Sequence, residues 1–156
     1  EKIKEARSKG SMMVASNMPM HMGGYGYEIR NKVKELAESN YFLYLDNDDV
    51  IEPTHLSHYL SQIEGTEFDL VYFDSMIDAA TYKRTSDLKE GMIGHSELII
   101  RTDFLKRMPP HQKEYGHDWK IIEAMINAGA KTNKSTSGKT TYHVMSLPNH
   151  KEQGID

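Results

Sequence analysis

Cysteine is absent from the 156 residues, which removes disulfide scaffolds, thiolate-ligated zinc and thiol nucleophiles from consideration. A basic excess is missing too, since 19 Lys and Arg face 23 Asp and Glu for a net charge of −4. A general nucleic-acid binder carries a basic face to neutralise phosphates, so that partner is disfavoured. No apolar run approaches the ~18–20 residues that span a bilayer, so no transmembrane segment is expected. No repeat and no low-complexity linker divides the chain. GxGxxG and GxxxxGK[ST] do not occur, so neither a Rossmann dinucleotide site nor a P-loop is supported. GxSxG and HExxH are also missing. The opening Glu1-Lys2-Ile3-Lys4-Glu5 has neither an initiator Met nor a signal-peptide hydrophobic region. The expectation is a cytoplasmic location, with residue 1 lying inside a longer protein.

What is present suffices for a core: 38% of residues are hydrophobic and 27% charged. The length suits a single domain, expected over 1–144 with a polar tail over 145–156. Residues 1–9 read as helix, Met12 to Ala15 as a strand, and 16–24 as a loop around Pro19, Gly23 and Gly24. The five Met residues between 12 and 22 suit core filling or a loose loop better than metal binding. Between Tyr25 and Ser39, Ile29, Val33, Leu36 and Ala37 fall on one helical face. Tyr41 to Leu45 is a near-continuous apolar run, as in a strand buried on both faces at the centre of a parallel sheet. Pro53 suits the first turn of a helix carrying Leu56, Tyr59, Leu60 and Ile63 up to Gly65. Phe68 to Phe73 and Glu97 to Arg101 read as strands, and Asp103 to Met108 as a short helix. Asp118 to Ala128 reads as a helix with Trp119, Ile122, Met125 and Ile126 inward and Gly129 as its stop. Residues 131–139 are polar, and Thr140 to Val144 closes the pattern as a strand. Helices alternating with strands predict an α/β fold with a mostly parallel central sheet flanked by helices.

Four segments could carry chemistry. Asp46-Asn47-Asp48-Asp49 holds three carboxylates within four residues, directly after an apolar strand. A solvated turn, a calcium loop and a Mg²⁺ or Mn²⁺ site bridging a diphosphate compete for it. An EF-hand needs Gly at its sixth position, where Ile51 stands, so the calcium loop is the weakest of these. The diphosphate site is favoured, because ligands gather at the carboxyl ends of strands in open α/β sheets. Asp118, in Tyr115-Gly116-His117-Asp118-Trp119, is either a helix N-cap or a general base for an acceptor hydroxyl. His143, late in the last strand, is either structural or a metal ligand beside carboxylates. Gly23-Gly24-Tyr25-Gly26 precedes Arg30-Asn31 in the manner of a phosphate-cradling loop before a helix.

Taken in order, these segments resemble family 2 glycosyltransferases of the A-type nucleotide-diphospho-sugar transferase fold, over most of residues 1–144. The likeness rests on the Gly-rich stretch leading to Arg30-Asn31, the strand ending in Asp46 to Asp49 with Pro53 after it, and His95 to Arg101. It extends through Gly116-His117-Asp118-Trp119 and the helix ending in Ala128-Gly129. The family's usual Glu-Asp pair is His117-Asp118 here. The resemblance implies Asp48 as a ligand of Mn²⁺ or Mg²⁺, with Asp46 near the metal or the ribose and Asn47 beside the nucleotide. It implies Arg30 and Asn31 in the nucleotide pocket, His143 near metal and diphosphate, and Asp118 as base in an inverting transfer. The expected donor is a UDP-sugar and the acceptor a carbohydrate or other hydroxyl. The family's first strand, helix and second strand are not seen ahead of residue 1. Two other classes fit the same residues. A nucleotidyltransferase would recruit Asp74 or Asp78 as a further carboxylate, and a non-catalytic module would bind nucleotide-sugar without transfer.

Overall fold

The computed structural model describes residues 26–46, 49–77, 82–114, 116–136 and 140–145. The expected helix over 1–9, strand at Met12 to Ala15, loop over 16–24 and most of the polar tail lie outside them. The described residues form a mixed α/β architecture of two compact units. One takes in 26–42 and 100–130, and the other 43–99 and 131–145.

In the first unit, helix α1 (Tyr27–Leu36) does not bury the apolar face that its periodicity suggests. Leu36 is 50% exposed, whereas Lys34 is buried. The Lys34 ammonium donates to the carbonyls of Met108 and Pro109, each at 3.0 Å. Two carbonyl acceptors offset the desolvation of a lysine head whose long stem packs like an aliphatic chain. Burial nonetheless holds its pKa below the ordinary lysine range. Ala37, which ends the helix, is buried as expected.

Strand β1 (Tyr41–Phe42) pairs antiparallel with the end of β6 (Leu98–Arg101), Tyr41 facing Arg101 and Phe42 facing Ile100. This corrects the expected central parallel strand over Tyr41 to Leu45, since Leu45 is 44% exposed. The Arg101 guanidinium covers the Tyr41 ring 5.7 Å from its centroid, so an apolar-looking residue is served by a cation rather than by a second core layer. Helix α3 (Thr102–Lys106) buries Phe104 and Leu105. Helix α4 (His117–Asn127) buries Ile121, Ile122 and Met125, while Ile126 turns outward at 37% exposure. Gly129, at φ +81°, ends it in the left-handed conformation that glycine adopts without strain.

In the second unit, α2 (His55–Ile63) buries His55, Tyr59 and Ile63, one residue per turn, and leaves Leu56 exposed. Strand β3 (Leu70–Tyr72) lies between β6 and β7 (Thr132–Lys134) and runs parallel to β7. A second sheet has the order β2 (Val50–Ile51), β8 (Tyr142–Val144), β4 (Ser75–Ile77), β5 (Tyr82–Arg84). Parallel pairing is thus found at β3–β7 and β4–β8, and antiparallel pairing at β1–β6, β2–β8 and β4–β5. Tyr59, Leu70, Val71, Phe73, Leu98 and Tyr142 are at most 1% exposed and form the core. Tyr59 stacks on Phe73 at 4.2 Å, and the His55 ring meets Phe73 edge-on at 4.9 Å.

Glu97 is the buried charge of this unit. Its carboxylate accepts from Ser75 Oγ at 2.5 Å, from Arg84 Nε at 2.9 Å and from the Gly94 N–H at 2.8 Å. A second bond from Arg84 makes the pairing two-pronged. Every oxygen therefore has a charged or polar donor, the condition under which a carboxylate can be buried.

Candidate functional site

Two groups of sequence-flagged residues fall in separate units. In the first unit, α1 braces the segment that leads into α4. Asn31 Oδ1 accepts the His111 N–H at 2.7 Å, and its amide donates to the His111 carbonyl at 2.9 Å. Both hydrogen bonds fix backbone, so Asn31 acts as a two-point clip. The His111 ring meets the His117 ring edge-on, centroids 5.5 Å apart. Arg30 Nη1 lies 3.3 Å from His117 Nε2. The same nitrogen lies 3.0 Å from Asp118 Oδ1.

Asp118 is not an N-cap. Gly116 takes that position, at φ +77°, and no side chain caps the helix. Asp118 is the second residue of α4, where a carboxylate gains from the N-terminal end of the helix dipole. His117 is 2% exposed, but the Asp118 side chain is 41% exposed. Its carboxylate is reachable from solvent while its neighbour is not. The periodicity of α1 gave no sign that Lys34 joins Arg30 and Asn31 in this bracing role. The detectable signal is spacing: Lys34 follows Arg30 by four positions and Asn31 by three, the separations that set side chains beside each other on a helix.

In the second unit, the Asp49 N–H donates to the Asp46 carbonyl at 3.2 Å. Asn47 and Asp48 lie outside the described residues. Asp49 Oδ1 accepts the Met145 N–H at 3.0 Å, and its Oδ2 accepts the Tyr142 hydroxyl. The fully buried Tyr142 has its pKa raised, first by burial and then by the hydrogen bond to the Asp49 carboxylate. Ser96 Oγ reaches Asp46 Oδ2 at 3.5 Å. The antiparallel register of β2 on β8 sets Val50 opposite His143 and Ile51 opposite Tyr142. The late histidine therefore lies beside the strand that follows Asp49. His143 Nε2 is 3.3 Å from Glu52 Oε1. Glu52 was not singled out in the sequence. It is reached only through the β2–β8 pairing, a contact 91 residues apart.

Asp74, the described candidate for an extra carboxylate, is committed elsewhere. It pairs with Lys83 at 3.0 Å and Lys134 at 3.3 Å and accepts the Ser86 N–H. Burial works against its ionisation, but these donors outweigh it and hold its pKa below the ordinary range. Asp78 lies outside the described residues. No described helix is long and apolar enough to cross a membrane.

No family model matches the chain, and no curated protein is similar to it in sequence. Solved structures are similar in fold. S. aureus TarS 1–349 in complex with UDP-GlcNAc aligns with TM-score 0.70 and 20% identity, over 94% of this chain and 45% of that one. The same protein with UDP aligns with TM-score 0.68 and 20% identity, over 94% and 47%. S. aureus TarS aligns with TM-score 0.65 and 18% identity, over 94% of this chain and 28% of that one. The chain spans less than half the length of each of these structures, and what it shares with them is the fold.

Proposed function

We propose that the chain is part of a metal-dependent, inverting glycosyltransferase that moves a sugar from a UDP-sugar to an acceptor hydroxyl, on a carbohydrate or another alcohol. The observation that carries this reading is the β2–β8 register. It sets His143 opposite Val50 while Tyr142 and Met145 clasp Asp49, so a distant imidazole strand and the end of the acidic segment are tied together. The UDP and UDP-GlcNAc in the fold neighbours support a nucleotide-sugar donor.

The donor set suits Mn²⁺ or Mg²⁺. Asp46 supplies a hard oxygen and His143 an imidazole, and Asp48 is the proposed principal ligand. Asp49 is spent on protein donors at both oxygens, so its part is to tie the acidic segment to β8. A bound divalent cation would supply positive charge beside the leaving diphosphate. Arg30, Asn31, Asp46 and Asn47 are proposed to border the nucleotide. The half-exposed Asp118 carboxylate takes the proton of the acceptor hydroxyl as that oxygen attacks the anomeric carbon. The bond from that carbon to the diphosphate oxygen breaks, its electron pair leaves on the nucleoside diphosphate, and the configuration inverts.

The test is thermal unfolding with Mn²⁺ and a panel of nucleoside diphosphates, on wild type and Asp48→Ala. A ligand specific for the folded state adds about 2.7 kcal/mol at a hundredfold excess over its Kd. Mn²⁺-dependent stabilisation by UDP, lost in Asp48→Ala, is expected. No shift with any nucleotide would overturn the donor assignment.

A further inference from the structure

His143 spends one ring nitrogen on the protein and keeps the other in reserve. Its Nε2 is hydrogen-bonded to Glu52 Oε1 at 3.3 Å. Among the described residues this is the hydrogen bond that the ring makes, and Nδ1 takes no part in it. A carboxylate can only accept, so the hydrogen of the neutral ring stands on Nε2. The lone pair is therefore on Nδ1. Main-chain bonds set this pairing. Val50 lies opposite His143 and Ile51 opposite Tyr142, and the Glu52 N–H then donates to the Thr141 carbonyl at 2.9 Å. Glu52 thus extends the ladder one residue past β2, which brings its carboxylate within reach of the imidazole.

We infer that Glu52 is a positioning residue for the proposed metal site: it holds the Nε2–H of His143 and presents the Nδ1 lone pair to the cation. The inference rests on the reading of His143 as a ligand beside Asp48. An imidazole binds a cation through a bare nitrogen, and the hydrogen bond at its other nitrogen decides which one is bare. A carboxylate at that N–H fixes the tautomer, restrains rotation of the ring and makes the bare nitrogen a stronger donor. Asp49 does not compete for this part, since Tyr142 and Met145 engage both its oxygens. As a strut the pair contributes little. The Glu52 side chain is 47% exposed and that of His143 20%, and an ion pair so open to solvent adds little to stability. Variants at Glu52 therefore keep the fold, and metal binding can be read apart from folding.

Two measurements on the full chain test this. The first is Mn²⁺ affinity in the presence of UDP, read from the electron paramagnetic resonance signal of free Mn²⁺. Glu52→Ala should weaken Mn²⁺ binding about tenfold to a hundredfold, the usual effect of removing the partner of a ligating histidine. Glu52→Gln, whose amide oxygen still accepts from Nε2–H, should recover part of that loss. Equal affinity in wild type and Glu52→Ala overturns the positioning role. Equal losses in the Ala and Gln variants, which would make Glu52 a remote charge, overturn it as well. The second is the hyperfine coupling of bound Mn²⁺ to histidine nitrogen, with ¹⁵N placed at Nδ1 alone or at Nε2 alone and the signal assigned by its loss in His143→Ala. The stronger coupling is expected from Nδ1. A stronger coupling from Nε2 overturns the assigned tautomer and the role of Glu52 together. Bound Mn²⁺ without any histidine coupling would overturn His143 as a ligand, and no bound Mn²⁺ would overturn the metal site itself.

Discussion

His55 is fully buried, with its Nδ1 2.8 Å from Thr141 Oγ1 and the rings of Tyr59 and Phe73 within 5.0 Å of its own. Burial pushes its pKa down to about 4 from the ordinary 6.5, because an imidazolium there would lose its water. Above pH 6.5 the ring is neutral in both folded and unfolded chains, and stability does not depend on its protonation. As pH falls from 6.5 to about 4, the unfolded chain binds a proton that the folded one refuses, so stability is lost across that window. At about 1.4 kcal/mol per pH unit, the loss amounts to about 3 kcal/mol. His55→Asn retains an amide within reach of Thr141 but cannot titrate. At pH 8 it should be less stable than wild type, by about 1–3 kcal/mol, because the smaller side chain leaves ring contacts unmade. Between pH 6.5 and 4 the gap should move by about 3 kcal/mol in favour of the variant. Urea unfolding followed by circular dichroism at pH 8, 6.5, 5 and 4 measures both curves, and subtraction cancels the other histidines and the carboxylates. Two curves that stay parallel through the window would refute the argument.

Other residues give further tests. Glu97→Ala should cost about 1–3 kcal/mol in urea unfolding, because the buried Ser75 hydroxyl and the part-buried Arg84 guanidinium lose their acceptor; Glu97→Gln should recover part of this. Asn31→Ala removes both clips on His111, at about 1–3 kcal/mol, and should speed hydrogen exchange of the His111 amide while leaving Leu70 and Val71 unchanged. Tyr142→Phe deletes the hydroxyl that Asp49 accepts, so the Mn²⁺-dependent stabilisation by UDP should weaken even though the ring stays in place. An unaltered Mn²⁺ response would separate Tyr142 from the proposed role of the acidic segment.

Elements whose stability lies in their own sequence were legible from it. The segment from Pro53 to Gly65, the strands around Val71 and Ile99, and the helix stopped by Gly129 stand close to where periodicity and breakers put them. Elements stabilised by distant partners were not. Strand β7 has the polar sequence Thr132-Asn133-Lys134 and exists because β3 offers it a parallel ladder. The β4–β5 pair draws on Glu97, which reaches Ser75 and Arg84 from 22 and 13 residues away. The burial of Lys34 is set by carbonyls of Met108 and Pro109, more than seventy residues away in the chain. For the candidate site, residue types marked Asp118, Arg30, Asn31 and His143 as worth following. The clips, the Arg30–His117 hydrogen bond and the Tyr142–Asp49 link are properties of side-chain placement, which no spacing encodes.

The bracing of residues 108–111 by α1 has a consequence for how this protein can change. Asn31 and Lys34 grip carbonyls and an amide, groups that every residue but proline carries in full. The grip is therefore indifferent to which side chains the gripped segment displays. Gln112 and Lys113 are exposed just beyond it and leave their side chains to solvent. A stretch anchored by its main chain next to a candidate base can be rewritten residue by residue without loosening its anchor. A library confined to positions 112–114 should retain the fold while varying what approaches Asp118.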